Sequence, residues 1–303
     1  MLISEGLLPV VCVLSRGGLN SIDRYLFGIK GLDVNLQNCI NSVFPLIIGL
    51  CLTSFFYPNG QLMTSFWGIE CFLSAVLMQF VSYAFSLSFK QCCVRDVIVT
   101  TKIADLIFIP ILCLLCLKFF DVESLTAIFQ KPSVLPYLIG LCACVPLFIG
   151  AKNLAFLLHP TALLLVASLS AQFFLSLLIK KETLCTIEQG LFFTLGIFVW
   201  RSIFSLSILL FSEKVEIRKE EYTLSFMWQV VGRACLMLVS YATFVLSLEL
   251  RQPLIVFPIL NSGPLVSALL AQIFLNEKLK KREVVAIFGL SCSSMLYSIH
   301  PEN

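Results

Sequence analysis

The sequence predicts an all-helical, polytopic membrane protein, and three observations carry that expectation. Hydrophobic residues fill 58% of the 303 positions, while Asp, Glu, Lys and Arg fill only 13%, about half the charged share of an ordinary soluble domain. The mean hydropathy is +0.95. The apolar residues also gather into long runs, and a membrane span needs about 20 of them. So few charges cannot cover the surface of a chain this long in water, which excludes the usual soluble enzyme. The net charge of +3 is scattered along the chain and offers no basic patch for nucleic acid. Runs this long and continuous do not fit barrel strands, so the spans are helices.

Apolar runs between charged or Pro/Gly punctuation predict ten spans, at 7–27, 36–57, 66–88, 94–118, 134–150, 154–179, 189–211, 224–248, 253–275 and 283–299. The opening stretch lacks the basic start of a secretory signal and carries Glu5, so it reads as the first span. Connections are short: Tyr57-Pro58-Asn59-Gly60 is a turn, and Gly150-Ala151-Lys152-Asn153 joins spans five and six. The longest polar stretch, Ser212 to Tyr222, is too short to fold alone. Most of the 13 cysteines lie inside apolar runs, where they serve as small packing residues. Cys113 and Cys116 have CxxC spacing but no His partner, so no metal is expected there; the vicinal pair Cys92-Cys93, near a span end, is the better candidate for reactive thiols.

The two halves look related. Ser82-Tyr83-Ala84 recurs as Ser240-Tyr241-Ala242, 158 positions on, and Pro110 precedes Glu123 by the same 13 residues that separate Pro264 from Glu277. Together these suggest a five-plus-five duplication, 1–150 and 151–303. Five being odd, the second copy enters the membrane from the opposite side, as in the inverted repeats of many secondary transporters.

With Gly263-Pro264-Leu265-Val266-Ser267-Ala268-Leu269-Leu270-Ala271-Gln272-Ile273-Phe274-Leu275-Asn276-Glu277-Lys278-Leu279, followed by a Gly289-containing last span, the chain resembles the drug/metabolite transporter superfamily, in its ten-helix exporter branch of two EamA-type repeats. Gly18-Leu19-Asn20 resembles the small-residue signature of that branch's first helix, although Gly17 stands where its tryptophan is usual. The resemblance implies an inverted-repeat carrier of small metabolites in the cell inner membrane, working without ATP hydrolysis or a cofactor, and with protons or a counter-substrate for coupling.

Ionisable and polar residues inside spans are costly and each calls for a reason. Arg16 opens a stripe with Asn20, Asp23 and Arg24 in span one, either facing a cavity or snorkelling at the interface. Asn38 and Asn41 share a face of span two, as interhelical glue or as ligands. Trp67, Glu70 and Ser74 share a face of span three, where Glu70 is either interfacial or a site for a cation or proton. Asp105 in span four pairs with Lys102 or meets substrate. Trp200 and Arg201 lie in span seven; Gln229, Arg233, Ser240 and Tyr241 line one face of span eight, with Trp228 beside them. Arg233 is the leading cavity residue, unless it forms a buried pair with Glu70 or Asp105. Pro258 and Pro264 free backbone carbonyls around Asn261, which marks either a site or a simple kink.

No GxxxxGK[ST] loop, HExxH or GxSxG occurs, and the histidines, His159 and His300, each precede a proline. ATP-driven transport and an intramembrane enzyme are therefore disfavoured, as is a channel, for want of a pore loop or charged ring. Arginine suits a carboxylate, Glu70 or Asp105 an ammonium, and the tryptophans and tyrosines a base or a cation. The mixture fits a zwitterionic metabolite. The resemblance extends to transporters of S-adenosylmethionine, exchanged for S-adenosylhomocysteine, in obligate intracellular bacteria; the other reading is an amino-acid or drug exporter of the same fold. Orientation is contradictory: most basic residues, such as Arg24, Lys30, Lys90, Arg95 and Lys280, fall on the side away from the N-terminus, so the positive-inside rule places both termini outside. The resemblance implies termini inside.

Overall fold

A segment surrounded by lipid must satisfy its backbone hydrogen bonds internally, which only helices and closed barrels do. The computed structural model describes residues 2–56, 68–103, 142, 159–181, 187–212, 223–248, 259–260, 262–277 and 280–299. Among these residues every regular element is helical. In chain order they are α1 (Leu2–Asp23), continued by a π-helical segment (Arg24–Ile29), α2 (Val34–Phe56), α3 (Ile69–Gln91), α4 (Val94–Ile103), α5 (Pro160–Lys181), α6 (Ile187–Phe211), α7 (Leu224–Leu248), α8 (Gly263–Leu275) and α9 (Lys281–Ile299). Among the described residues, four helices are by length and composition able to cross a membrane: Val34–Phe55, Ile69–Gln91, Gln189–Phe211 and Leu224–Ser247. The spans expected at 94–118, 154–179 and 253–275 are described in part, only Cys142 is described of 134–150, and the Cys113/Cys116 pair lies outside the described residues.

The sequence starts these helices with recognisable caps. Asp33 Oδ1 accepts the Leu36 N–H at 2.9 Å before α2, and Thr223 Oγ1 accepts the Phe226 N–H at 3.3 Å before α7. Pro160 opens α5, where its missing N–H costs nothing. Inside the helices, buried Ser and Thr hydroxyls turn back onto carbonyls one turn earlier, as Ser88 does on Ala84 at 2.7 Å and Ser247 on Thr243 at 2.5 Å. This keeps them satisfied in an apolar interior.

Contacts fix the helix directions. The Cys12 thiol meets the Ser240 carbonyl and Asp23 meets Arg233, so α1 and α7 are antiparallel. Asn20 donates to Ser267 at 2.9 Å and Arg24 reaches Glu277, so α1 and α8 are parallel. Cys71 lies by the Phe193 carbonyl and Gln79 by Arg201, making α3 and α6 parallel. Asn35 donates to Ser212 at 3.2 Å while Gly49 abuts Leu195, making α2 and α6 antiparallel. Further pairings join α3 to α5, α2 to α7, and α4 to α5, α8 and α9. One end of the bundle, the Arg24 end, thus gathers the last turns of α1, α3, α6 and α8 and the first turns of α2, α4 and α7. A buried cluster of Phe27, Phe89, Val94, Leu165, Ala271 and Ile287 brings the early turns of α5 and α9 to the same end.

Polarity is arranged as lipid demands. Leu210 and Phe211 are 83% and 88% exposed and Phe55 is 80% exposed, while Asn38, Asn41, Gln79, Arg201 and Arg233 are buried. In water such an apolar surface is a large liability; against acyl chains it is the ordinary outer face. Helices approach closely where residues are small: a Cβ added at Gly49 strikes the buried Leu195 side chain, whereas one added at Gly232 meets nothing within 4 Å. Gly49→Ala is therefore expected to lower stability by about 1–3 kcal/mol through overpacking, and Gly232→Ala to leave it equal or raise it by up to about 1 kcal/mol through helix propensity. Thermal unfolding of the two variants in detergent checks the contrast.

Candidate functional site

The middle of α6 carries Arg201, roughly 15 Å from the nearer helix end, with no part of its side chain exposed. Its Nε donates to Gln79 Oε1 at 3.2 Å and its Nη2 to Ser82 Oγ at 2.5 Å, both on α3. Gln79 is held in turn, its Nε2 donating to Ser205 Oγ one turn beyond Arg201 at 2.6 Å. The guanidinium lies 5.6 Å from the Phe198 ring centroid and 5.9 Å from that of Tyr241 on α7, within cation–π range. The Tyr241 hydroxyl points to Met78 Sδ at 3.1 Å. Among the described residues no carboxylate pairs with Arg201, and its Nη1 has no partner. Two more unpartnered groups lie at the same level. Tyr83 OH, next to Ser82 on α3, is one; Tyr83 is within electrostatic reach of Arg201. Asn41 Nδ2 is the other; it sits one turn from Asn38, whose Nδ2 bonds Ser86 on α3 at 3.2 Å. Asn41 Oδ1 is already taken by Gln37 at 3.0 Å. Arg201 Nη1 and Asn41 Nδ2 can only donate, and the Tyr83 hydroxyl can donate or accept, so the cluster has room for a further acceptor.

Arg233 has a different situation from the one its sequence position suggests. It does not pair with Glu70: its Nε and Nη2 grip both oxygens of Asp23, the latter at 2.9 Å, and its Nη1 points to Met237 Sδ at 3.4 Å. The two side chains are 5% and 13% exposed. The pair is a fork-to-fork bridge from α7 to the last residue of α1. Asp23 reads as an interfacial residue in the sequence because it stands beside Arg24 at the end of an apolar run. The π-helical continuation carries the chain onward and keeps it inside. Arg16, farther down α1, sits 4.4 Å over the Phe244 ring, one turn from Tyr241.

The remaining expected site residues are dispersed. Glu70 is half-buried in the first turn of α3, roughly 13 Å along the helix from Gln79, where the helix dipole favours its charge. Trp228 is 69% exposed near the start of α7, away from the Arg201 cluster. Trp200 stacks on Phe204 and edges onto Phe72 at 5.0 Å. Trp67, Asp105 and Asn261 lie outside the described residues. Gln79, Ser82 and Tyr83 complete the Arg201 cluster; the repeated Ser-Tyr-Ala tripeptide is the sequence signal that points to two of them.

Cys92, directly after α3, is less reactive than its vicinal position suggests. Burial, then the charges of Asp96 and Cys93, push its thiol up to about 11, with Arg24 opposing, so little thiolate exists at neutral pH. Among the described residues no group of three His, Cys, Asp or Glu is placed to hold a metal ion. No protein-family model matches the chain, and no curated protein matches its sequence.

Two outcomes follow from this geometry. Asp23→Leu alone strands a buried guanidinium and is expected to cost about 3–5 kcal/mol, whereas Asp23→Leu with Arg233→Leu removes both charges and costs clearly less; unfolding of the three proteins in detergent measures it. Alkylation of Cys92, followed by peptide mass spectrometry, is expected to be slow at pH 7 and to keep rising up to about pH 11; a plateau below pH 9 contradicts the burial argument.

Proposed function

We propose that the chain is a secondary-active transporter of the cell inner membrane, moving a small polar or zwitterionic metabolite by alternating access, with its carboxylate received by Arg201. The observation that carries this reading is the guanidinium itself, buried at mid-depth beside other unpaired donors, with no carboxylate facing it among the described residues. A charge placed so is expensive and by default functional, and a planar two-pronged donor is the natural receptor for a carboxylate. Gln79 and Ser82 fix the rotamer of Arg201, while Tyr83 and Asn41 supply further donors. Arg233 and Asp23 neutralise each other and orient α1 against α7.

The packing gives the reading its second support. Exchanging α1 for α5, α2 for α6, α3 for α7 and α4 for α8 turns the α1–α7 contact into α5–α3, and the α6–α3 contact into α2–α7. The α2–α6 and α4–α8 contacts map onto themselves. In each exchanged pair the two helices run in opposite directions, as two inverted five-helix repeats require, with ten spans in all. Ser82-Tyr83 and Ser240-Tyr241 are then equivalent positions that approach Arg201 from α3 and α7. The resemblance drawn from the sequence makes S-adenosylmethionine, exchanged for S-adenosylhomocysteine, the specific solute: its carboxylate suits Arg201, and its purine and sulfonium suit the rings of Phe198 and Tyr241.

Uptake of radiolabelled S-adenosylmethionine into cells expressing the chain tests this. Competition by excess S-adenosylhomocysteine and a loss on Arg201→Gln of at least tenfold are expected, since truncating one partner of a buried charge pair costs about 2–5 kcal/mol. Uptake unaffected by Arg201→Gln removes that residue from the site, and uptake no greater than in cells lacking the chain ends the substrate assignment.

A further inference from the structure

At the Arg24 end a second ionic contact joins three parts of the bundle. Arg24 Nε donates to Glu277 Oε1 at 3.1 Å, and Arg24 Nη1 to the Phe89 carbonyl at 2.8 Å. The other carboxylate oxygen, Glu277 Oε2, accepts the Val94 N–H at 3.1 Å, at the first turn of α4. One side-chain pair therefore holds the end of α1, the corner between α3 and α4, and the turn after α8. We propose that this contact is the gate of the carrier at the Arg24 end, closed in this conformation and broken when that end opens.

Three local features are built around the pair. The helix changes at Arg24 from α to π, with the Lys30 N–H reaching the Tyr25 carbonyl at 2.9 Å; single π segments are frequent at functional sites. Gly28 lies beneath the guanidinium: a Cβ there strikes Arg24 and comes within 2.6 Å of the Phe89 carbonyl oxygen, so only glycine admits the arginine to that carbonyl. Asn276 adopts the left-handed region, φ 52°, as the cap of α8; this turns the chain so that Glu277 faces back toward α4. Asparagine tolerates that conformation better than most residues.

The charge environment suits reversible rupture. The Arg24 and Glu277 side chains are 17% and 14% exposed, near enough to the helix ends for water to replace the broken bonds. The deeper Asp23–Arg233 pair, at 13% and 5%, starts one residue earlier on α1 and runs to α7. Adjacent residues thus send opposite charges to different helices. Movement of α8 and the α3–α4 corner away from α1 breaks the Arg24 contact and leaves the Asp23 contact intact.

The gate rests on the carrier reading, and the experiment separates the two. Cys92 lies between Phe89 and Val94, both bonded to the gate, and is half-buried. Its labelling by a membrane-impermeant maleimide, read by peptide mass spectrometry on the full chain in membrane vesicles, reports opening without any solute. Glu277→Gln, which removes the charge, and Gly28→Ala, which displaces Arg24 without altering a charge, are each expected to raise labelling several-fold while remaining monodisperse on extraction. Lys281→Gln, exposed at the same end, is the control expected to match the native chain. Unchanged labelling in folded Glu277→Gln and Gly28→Ala overturns the gate, and if solute uptake persists the carrier reading still stands. Raised labelling in a chain that takes up no solute supports the gate as a conformational lock and removes the carrier reading.

Discussion

A guanidinium cannot shed its proton to escape an apolar interior, and the bundle is organised around that fact. Arg233 and Arg201 are both buried, yet they are satisfied in opposite ways. Arg233 has a carboxylate of its own chain in Asp23, gripped by two nitrogens. Among the described residues Arg201 meets neutral acceptors, Gln79 and Ser82, and two aromatic rings. The first arrangement is complete and belongs to structure. The second, among the described residues, leaves positive charge and donors unpaired at mid-depth, and the proposed binding role rests on it.

Everything near Arg201 serves to keep it rigid rather than to neutralise it. Ser205 orients Gln79, Gln79 orients Arg201, and Tyr241 is itself turned toward Met78. A receptor held in one rotamer before its ligand arrives loses little entropy on binding. The small residues do similar work between helices, since Gly49 lets α2 reach Leu195 and so fixes α2 against α6. At the Arg24 end, Gly28 and Asn276 shape the backbone around Arg24 and Glu277, whose exposure is greater than that of the inner pair. The proposed carrier needs both a rigid centre and an end that can open.

The helices were the legible part of the sequence. The expected spans 36–57, 66–88, 189–211 and 224–248 lie within three residues of α2, α3, α6 and α7 at each end, because a 20-residue apolar run has few other uses. The partnerships were not legible. Periodicity places Asp23 near the end of a span and Arg233 in the middle of another, but nothing in either pattern says that α1 and α7 run side by side, so the sequence offers Arg233 Glu70 or Asp105 as a partner. The change to π-helix after Asp23 also has no marker in composition. Trp228 shows a related limit: it stands next to Gln229 of the polar stripe, yet near the start of α7 its side chain is 69% exposed. Arg201 was visible as a polar residue in an apolar run; its lack of a carboxylate is a property of α3 and α7, three-dimensional neighbours that the one-dimensional pattern does not reveal.

The central claim is that the Arg201 guanidinium receives a solute carboxylate. Calorimetric titration of the purified chain with S-adenosylhomocysteine and with its decarboxylated analogue tests it most directly, because the two differ only in that group. The account predicts measurable binding of the first and a loss of tenfold or more for the second, corresponding to at least about 1.4 kcal/mol. Equal affinity for the two compounds would contradict it, since the guanidinium would then contribute nothing that the carboxylate uses.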